Sequence, residues 1–194
     1  MKDITKNEMA FVLTLLKNPD IDYNANSISK ELGISSMGAL KIAKSLEKEE
    51  ILLSKEMGRA RFYRINFQND YAKQSIILFL KREAESSAPA VKRWISEIKK
   101  IKNAEMAILF GSVLRNEKDA KDIDILLVSD EKSFPKLKKA IDEINLINPK
   151  KLHPVYQTEE DLKNNISKED KVILNAVKGI IVFGEDILLN VLSK

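Results

Sequence analysis

Residues 108–128, ILFGSVLRNEKDAKDIDILLV, hold two apolar runs separated by a polar break that contains a glycine. The runs read as buried strands over residues 105–110 and 122–128. Gly111-Ser112 ends the first strand, and a short helical turn is expected at 112–115. Side chains on a strand alternate between faces, so Asp122 and Asp124 share one face while Ile123 and Ile125 point into a core. Two carboxylates on one face repel each other and are tolerated where the face is wet or where a hard cation sits between them. Mg²⁺ takes one or two protein carboxylates and completes its shell with water and substrate phosphates. Gly111 lets a phosphate approach the backbone with no Cβ in the way. Ser112 offers a hydroxyl, and the turn after it offers amide N–H groups. A triphosphate bridged by a metal to the two carboxylates fits this arrangement.

The surrounding pattern predicts the layer this segment belongs to. Residues 133–146 form an amphipathic helix with Leu137, Ala140, Ile141 and Ile144, and residues 152–157 a third strand. Helices are expected at 159–165, at 169–182 (EDKVILNAVKGIIV) and at 186–192. Strands alternating with helices indicate a small α/β domain with a mixed sheet. Upstream, residues 90–102 place Val91, Trp94, Ile95 and Ile98 on one helical face, and a helix over 70–85 precedes them. This stretch reads as a linker, a dimerisation element or the opening helix of the second domain.

The first third of the chain follows a different plan. Residues 4–17 place Met9, Val12, Leu13 and Leu16 near helical spacing, and Asn18-Pro19-Asp20 stops the helix. A short helix over 26–32, with Asn26 or Ser27 as N-cap, ends at Gly33. A third helix covers 36–49. Two strands, 51–56 and 59–66, join at Met57-Gly58 as a hairpin. The predicted fold class is α+β: three helices plus a β-hairpin, then the α/β domain. The expected divisions are 1–68, a helical connector at 69–103, and 104–194.

Composition limits the chemistry. There is no Cys and one His, which excludes a disulfide scaffold, a thiolate site and a Cys nucleophile. No run of about 18 apolar residues is present, so no transmembrane helix is expected. The opening MKDITKNEMA lacks the basic-then-apolar pattern of a signal peptide, and a cytoplasmic protein is expected. Residues 1–68 carry 11 basic and 9 acidic groups (+2), 69–103 carry 8 and 4 (+4), and 104–194 carry 14 and 16 (−2). The basic N-terminal half suggests an anionic partner there.

Two resemblances follow from these residues. SISKELGISSMGALKIAKSLEKEEIL, with Gly33 in the turn, Ile34 entering the core and an arginine-bearing hairpin after the third helix, resembles the winged helix-turn-helix DNA-binding regulators over the first 68 residues. The resemblance implies double-stranded DNA as partner and a homodimer. Ser35, Ser36, Met37 and Lys41 would then face bases, Lys44 would meet phosphate, and Arg59 and Arg61 on the wing would grip the backbone or the minor groove.

LFGSVLRNEKDAKDIDILLV resembles the Gly-Ser, then Asp-x-Asp, signature of the DNA polymerase β-like nucleotidyltransferases, and its small size is nearest to the minimal members. This resemblance covers about residues 90–194. It implies Asp122 and Asp124 as catalytic metal ligands for Mg²⁺ or Mn²⁺. It also implies Gly111, Ser112 and Arg115 as nucleotide-binding residues, with a nucleoside triphosphate as substrate. Minimal transferases of this kind often act in toxin–antitoxin pairs, which implies an acceptor or toxin-like partner protein. The family's third carboxylate has no counterpart in the later strand, KLHPVYQT, where His153 and Pro154 stand instead. Glu159, Glu160 and Asp161 read as the first turn of a helix, where acids suit the dipole. His153 reads either as a base or as a surface residue before a proline.

Two functional expectations follow. One is a DNA-binding, Mg-dependent nucleotidyltransferase that moves a nucleoside monophosphate onto a hydroxyl acceptor. The other is a transcriptional regulator whose C-terminal domain senses nucleotide or binds a partner without turnover.

Overall fold

The computed structural model describes residues 4–116 and 119–193. The chain divides into two units, Met1–Phe79 and Leu80–Lys194.

In the first unit α1 (Lys6–Lys17) starts at Thr5, whose hydroxyl accepts from the Glu8 amide while the Glu8 carboxylate accepts from the Thr5 amide. β1 (Tyr23–Asn24) leads directly into α2 (Ala25–Leu32). The N-cap of α2 is Asn24, which accepts from the Asn26 and Ser27 amides; Asn26 and Ser27, the caps expected from sequence, lie inside the helix, two and three residues after the observed cap. Gly33 closes α2 in the left-handed region, and Ser35 caps α3 (Ser36–Lys48). β2 (Leu52–Met57) and β3 (Ala60–Ile65) form the expected hairpin. β1 pairs with β3 through Tyr23 and Tyr63, giving a three-stranded sheet in the order β1-β3-β2. A two-residue strand carries too little pattern to be read from sequence. The core joins Phe11, Val12 and Leu16 of α1 to Ile28, Ala43, Leu46, Ile51 and Tyr63, with Phe11 edge-on to the Tyr63 ring at 6.0 Å. This is the winged helix-turn-helix arrangement. α4 (Asp70–Ser86) follows, and the division between units falls within it.

The second unit is built on a four-stranded mixed sheet in the order β6-β5-β4-β7. β4 (Met106–Phe110) is antiparallel to β5 (Ile123–Val128) and to β7 (Ile180–Phe183), while β6 (Leu152–Gln157) runs parallel to β5. α5 (Pro89–Ile98) and α6 (Phe134–Ile147) cover one face. Val91, Trp94, Ile95 and Ile98 of α5 join Leu137 and Ile141 of α6 and the sheet residues Ala107, Leu109, Ile123, Ile125 and Leu127 in one cluster. The alternate residues Met106, Ile108, Leu126 and Val128 are equally buried. Their side is covered by α7 (Glu159–Ser167), α8 (Lys171–Val177) and α9 (Glu185–Leu192), which contact β4 and β6. Burial on both faces explains why β4 and β5 are apolar without alternation.

Two further expectations from sequence are revised. β5 begins at Ile123, so Asp122 lies in the bend before it. The helix expected over 169–182 stops at Val177, and residues 180–183 become strand β7. The apolar run continues the helical period, but Gly179 breaks it for a packing reason. A Cβ there would lie 2.3 Å from the Leu109 carbonyl oxygen and 2.8 Å from Phe110 Cβ. The close approach lets Ile180 pair with Leu109, and the β-branched residues that follow complete the edge of the sheet.

Candidate active site

The site forms where β4 ends beside β5. Phe110, the last residue of β4, pairs with Asp124, the second residue of β5. The chain then turns at Gly111 with φ +84° and ψ −153°, a combination open only to glycine. A Cβ on Gly111 would also fall 2.1 Å from Asp124 Oδ2. Gly111 is therefore required twice, by its own dihedrals and by the carboxylate seated against its Cα. A 3₁₀ turn, Ser112–Leu114, follows, closed by Arg115 N–H donating to the Ser112 carbonyl at 3.0 Å. The first amides of such a turn have no partner within it and are left for an acceptor from outside.

Asp124 is half-buried. Its Oδ1 lies 3.6 Å from His153 Nδ1, beyond good hydrogen-bond range, and His153 is 76 % exposed. The parallel register pairs Asp124 with His153 on β6. His153 thus occupies the position beside the Asp that the sequence comparison left without an acid. The nearby acids are used elsewhere. Glu159, Glu160 and Asp161 form the first turn of α7, and Asp161 closes a capping box with Thr158, accepting its hydroxyl at 2.7 Å. Asp122 is exposed, two residues before Asp124. Among the described residues no group of three His, Cys, Asp or Glu side chains is placed to hold a metal. Of the two carboxylates expected as donors, Asp122 is exposed and Asp124 half-buried. That fits a hard cation that completes its shell from water and phosphate, and does not fit a caged ion such as structural zinc.

Arg115 is exposed and lines an open cavity of about 240 Å³ with Phe110, Gly111, Leu114, Asn175, Lys178 and Gly179. Of the residues expected to bind nucleotide, Gly111 and Arg115 line this cavity and Ser112 is not among its lining residues, while Asn175 and Lys178 were not expected there. Only the β4–β7 pairing and the Gly179 contact bring the end of α8 to Gly111, and no local motif signals that.

The residues expected to meet DNA lie in the first unit. Met37, Lys41 and Lys44 are exposed on α3, with Met37 64 % exposed. Ser35 is engaged as the N-cap, its Oγ accepting from the Gly38 amide at 3.0 Å. The Ser36 hydroxyl bridges to Ser29 Oγ and Asn26 Oδ1, both at 3.2 Å, and so ties α3 to α2. Arg59 is exposed at the hairpin tip. Arg61 donates to Glu56 at 3.0 Å and lies 3.8 Å from Glu47, and its hydrogen bond to Glu56 holds its pKa above the ordinary value.

Among the described residues no helix is long and apolar enough to cross a membrane. No curated protein matches the chain. Among solved structures, two mutant forms of Lactococcus lactis ZitR are similar. One has 16 % identity over 52 % of this chain, with a TM-score of 0.34, and the chain spans 62 % of its length. The other has 14 % identity over 51 % of this chain and 73 % of that one, with a TM-score of 0.29. The family described as Polymerase beta, Nucleotidyltransferase matches residues 92–179, a stretch that contains Gly111, Ser112, Arg115, Asp122, Asp124, His153 and the Lys178-Gly179 pair.

Proposed function

We propose that this protein is a Mg²⁺- or Mn²⁺-dependent nucleotidyltransferase carried on a DNA-binding winged helix. In this reading the second unit transfers a nucleoside monophosphate from a nucleoside triphosphate to a hydroxyl acceptor. The bond between the α-phosphorus and the bridging oxygen breaks, and pyrophosphate leaves. Asp122 and Asp124 would hold the cation, which supplies neutralisation of the charge that develops on the phosphates. Gly111 and Ser112 bind the phosphates through amide and hydroxyl donors, and Arg115 stabilises the departing pyrophosphate. Asp124 is held in place by its strand and by the absence of a Cβ on Gly111, so its carboxylate need not reorganise as substrate arrives.

The observation that carries this reading is the seating of the Asp124 carboxylate against Gly111. It brings Asp124, one of the two expected carboxylates, against the Gly-Ser turn, from which it is separate in sequence. The test is titration with ATP and GTP, each with and without Mg²⁺, together with transfer of α-labelled nucleotide. Metal-dependent binding and transfer, both lost in Asp122→Ala/Asp124→Ala without loss of folding, are expected.

His153 in place of an acid on β6 favours a second reading, a domain that binds nucleotide and does not turn it over, attached to a DNA-binding regulator. Metal-dependent binding with no transfer to a protein, RNA or small-molecule hydroxyl would select it. In either reading α3 enters a major groove, with Met37, Lys41 and Lys44 exposed toward DNA and Arg59 on the wing, and a homodimer supplies two half-site contacts.

A further inference from the structure

Asp124 and His153 stand in register on adjacent parallel strands, so their side chains leave the same face of the sheet. The two oxygens of Asp124 have different surroundings. Oδ2 is seated against Gly111, 2.1 Å from where a Cβ would stand, and Oδ1 is 3.6 Å from His153 Nδ1. That separation is too long for a hydrogen bond. It is near the spacing of two donors that share one cation: donors about 2.1 Å from an octahedral or tetrahedral ion stand roughly 3.0–3.4 Å apart. Among the described residues His153 has no other partner.

The charges around this pair suit a cation. Asp122 adds a carboxylate from the bend before β5. Lys151, two residues before His153, gives its ammonium to the Asn145 and Asn148 carbonyls. Among the described residues no Lys or Arg is ion-paired with Asp124. The imidazole is 76 % exposed, which leaves room for water and phosphate oxygens in the rest of a coordination shell. An oxygen and a nitrogen donor differ in kind from two carboxylates. Oxygen donors suit Mg²⁺, whereas an imidazole nitrogen favours first-row transition cations.

We infer that Asp124 Oδ1 and the His153 imidazole ligate the cation together, and that His153 makes the site prefer a first-row transition ion, Mn²⁺ or Co²⁺, to Mg²⁺. The inference rests on the nucleotidyltransferase reading for what the cation serves, while the ligand pair stands on its own geometry.

His153 is the one histidine of the chain, so nitrogen from a protein imidazole on a bound metal can come from nowhere else. The full chain, without a histidine tag, is loaded with Mn²⁺ and read by electron spin echo with natural and with ¹⁵N-labelled histidine. It is also titrated calorimetrically with Mn²⁺, Co²⁺ and Mg²⁺, as wild type, His153→Ala and His153→Asp. A nitrogen coupling is expected in the Mn²⁺ signal that changes to the ¹⁵N pattern on labelling. In His153→Ala the affinity for Mn²⁺ and Co²⁺ should fall by about tenfold or more, the scale on which even an outer-shell partner acts. Mg²⁺ should change less, and His153→Asp, with oxygen donors only, should shift the preference toward Mg²⁺. The wild-type spin-echo spectrum needs no variant, so it decides the matter even if a substitution disturbs folding. Absence of the ¹⁵N coupling overturns the inference, and so does an unchanged ratio of Mn²⁺ to Mg²⁺ affinity in His153→Ala. Failure of the transferase reading looks different: the nitrogen-ligated cation is bound, and no nucleotide is transferred with any of the three ions. Transfer supported equally by Mg²⁺ and Mn²⁺, with no nitrogen coupling, leaves the transferase reading standing and the inference fallen.

Discussion

Single atoms decide the candidate site. Gly111 combines φ +84° with a carboxylate oxygen 2.1 Å from where its Cβ would be. Gly111→Ala must therefore move Asp124 as well as strain its own backbone. We expect it to cost about 1–3 kcal/mol of stability and to abolish metal-dependent ATP binding, measured by thermal melting and by titration. The same melt on Asp124→Asn should show little change, which separates strain from loss of charge. Trp94 offers a contrast. Its ring is fully buried, but its Nε1–H has no hydrogen-bond partner among the described residues. A buried donor without an acceptor already carries a penalty in the native protein. Trp94→Phe should thus cost much less than Trp94→Ala, for which about 3–5 kcal/mol is expected from the cavity left behind, and urea melts of the two variants will show the difference.

Elements are held by pairs of side chains that the local pattern does not show. The antiparallel pair Tyr23 and Tyr63 joins β1 to β3, and both hydroxyls titrate above the ordinary tyrosine value. Burial is the main cause in each. Glu31 and Asp20 add to it for Tyr23; Glu47 adds to it for Tyr63, where Arg61 opposes. A raised pKa in the folded state means that neutral tyrosine is favoured there. The associated stability is fully present below pH 10, the value of the free side chain, and is lost as pH rises through the higher folded values. The winged-helix unit should therefore lose stability above about pH 10, followed by far-UV circular dichroism, and Tyr23→Phe/Tyr63→Phe should flatten that loss. The wing has a related asymmetry. Arg61 is tied to Glu56 and Glu47 while Arg59 is not, so Arg59→Ala should weaken double-stranded DNA binding more than Arg61→Ala. It should also lower the salt slope by about one, as expected for one lost phosphate contact.

For the molecule as a whole, the residues expected to hold a metal and those expected to meet DNA fall in different units. The Asp pair belongs to the second unit and α3 to the first, so Asp122→Ala/Asp124→Ala should leave DNA affinity unchanged in a mobility-shift titration. Most of the architecture was legible in the sequence because its signals are local. Caps, apolar periodicity and glycine turns marked α1 to α3, the hairpin, β4, β5 and β6 within a residue or two. Gly111, Ser112 and the Asp pair stood out for the same reason, since the chemistry they suit depends on spacing along one β-turn-β segment. Three features were not local. β1 is two residues long and exists only because Tyr63 pairs with it. Residues 180–183 read as a continuing helix, and they became an edge strand because Gly179 allows the backbone to close on Leu109. Asn175 and Lys178 came to the Gly-Ser turn through that same closure. The sequence by itself marked most of the helices and strands and set the Gly-Ser turn and the Asp-x-Asp segment apart, because side-chain type and spacing act over a few residues. Only the tertiary structure decided which distant residues line the cavity beside the Gly-Ser turn and which residue stands beside Asp124, because pairing and close packing join segments that no periodicity links.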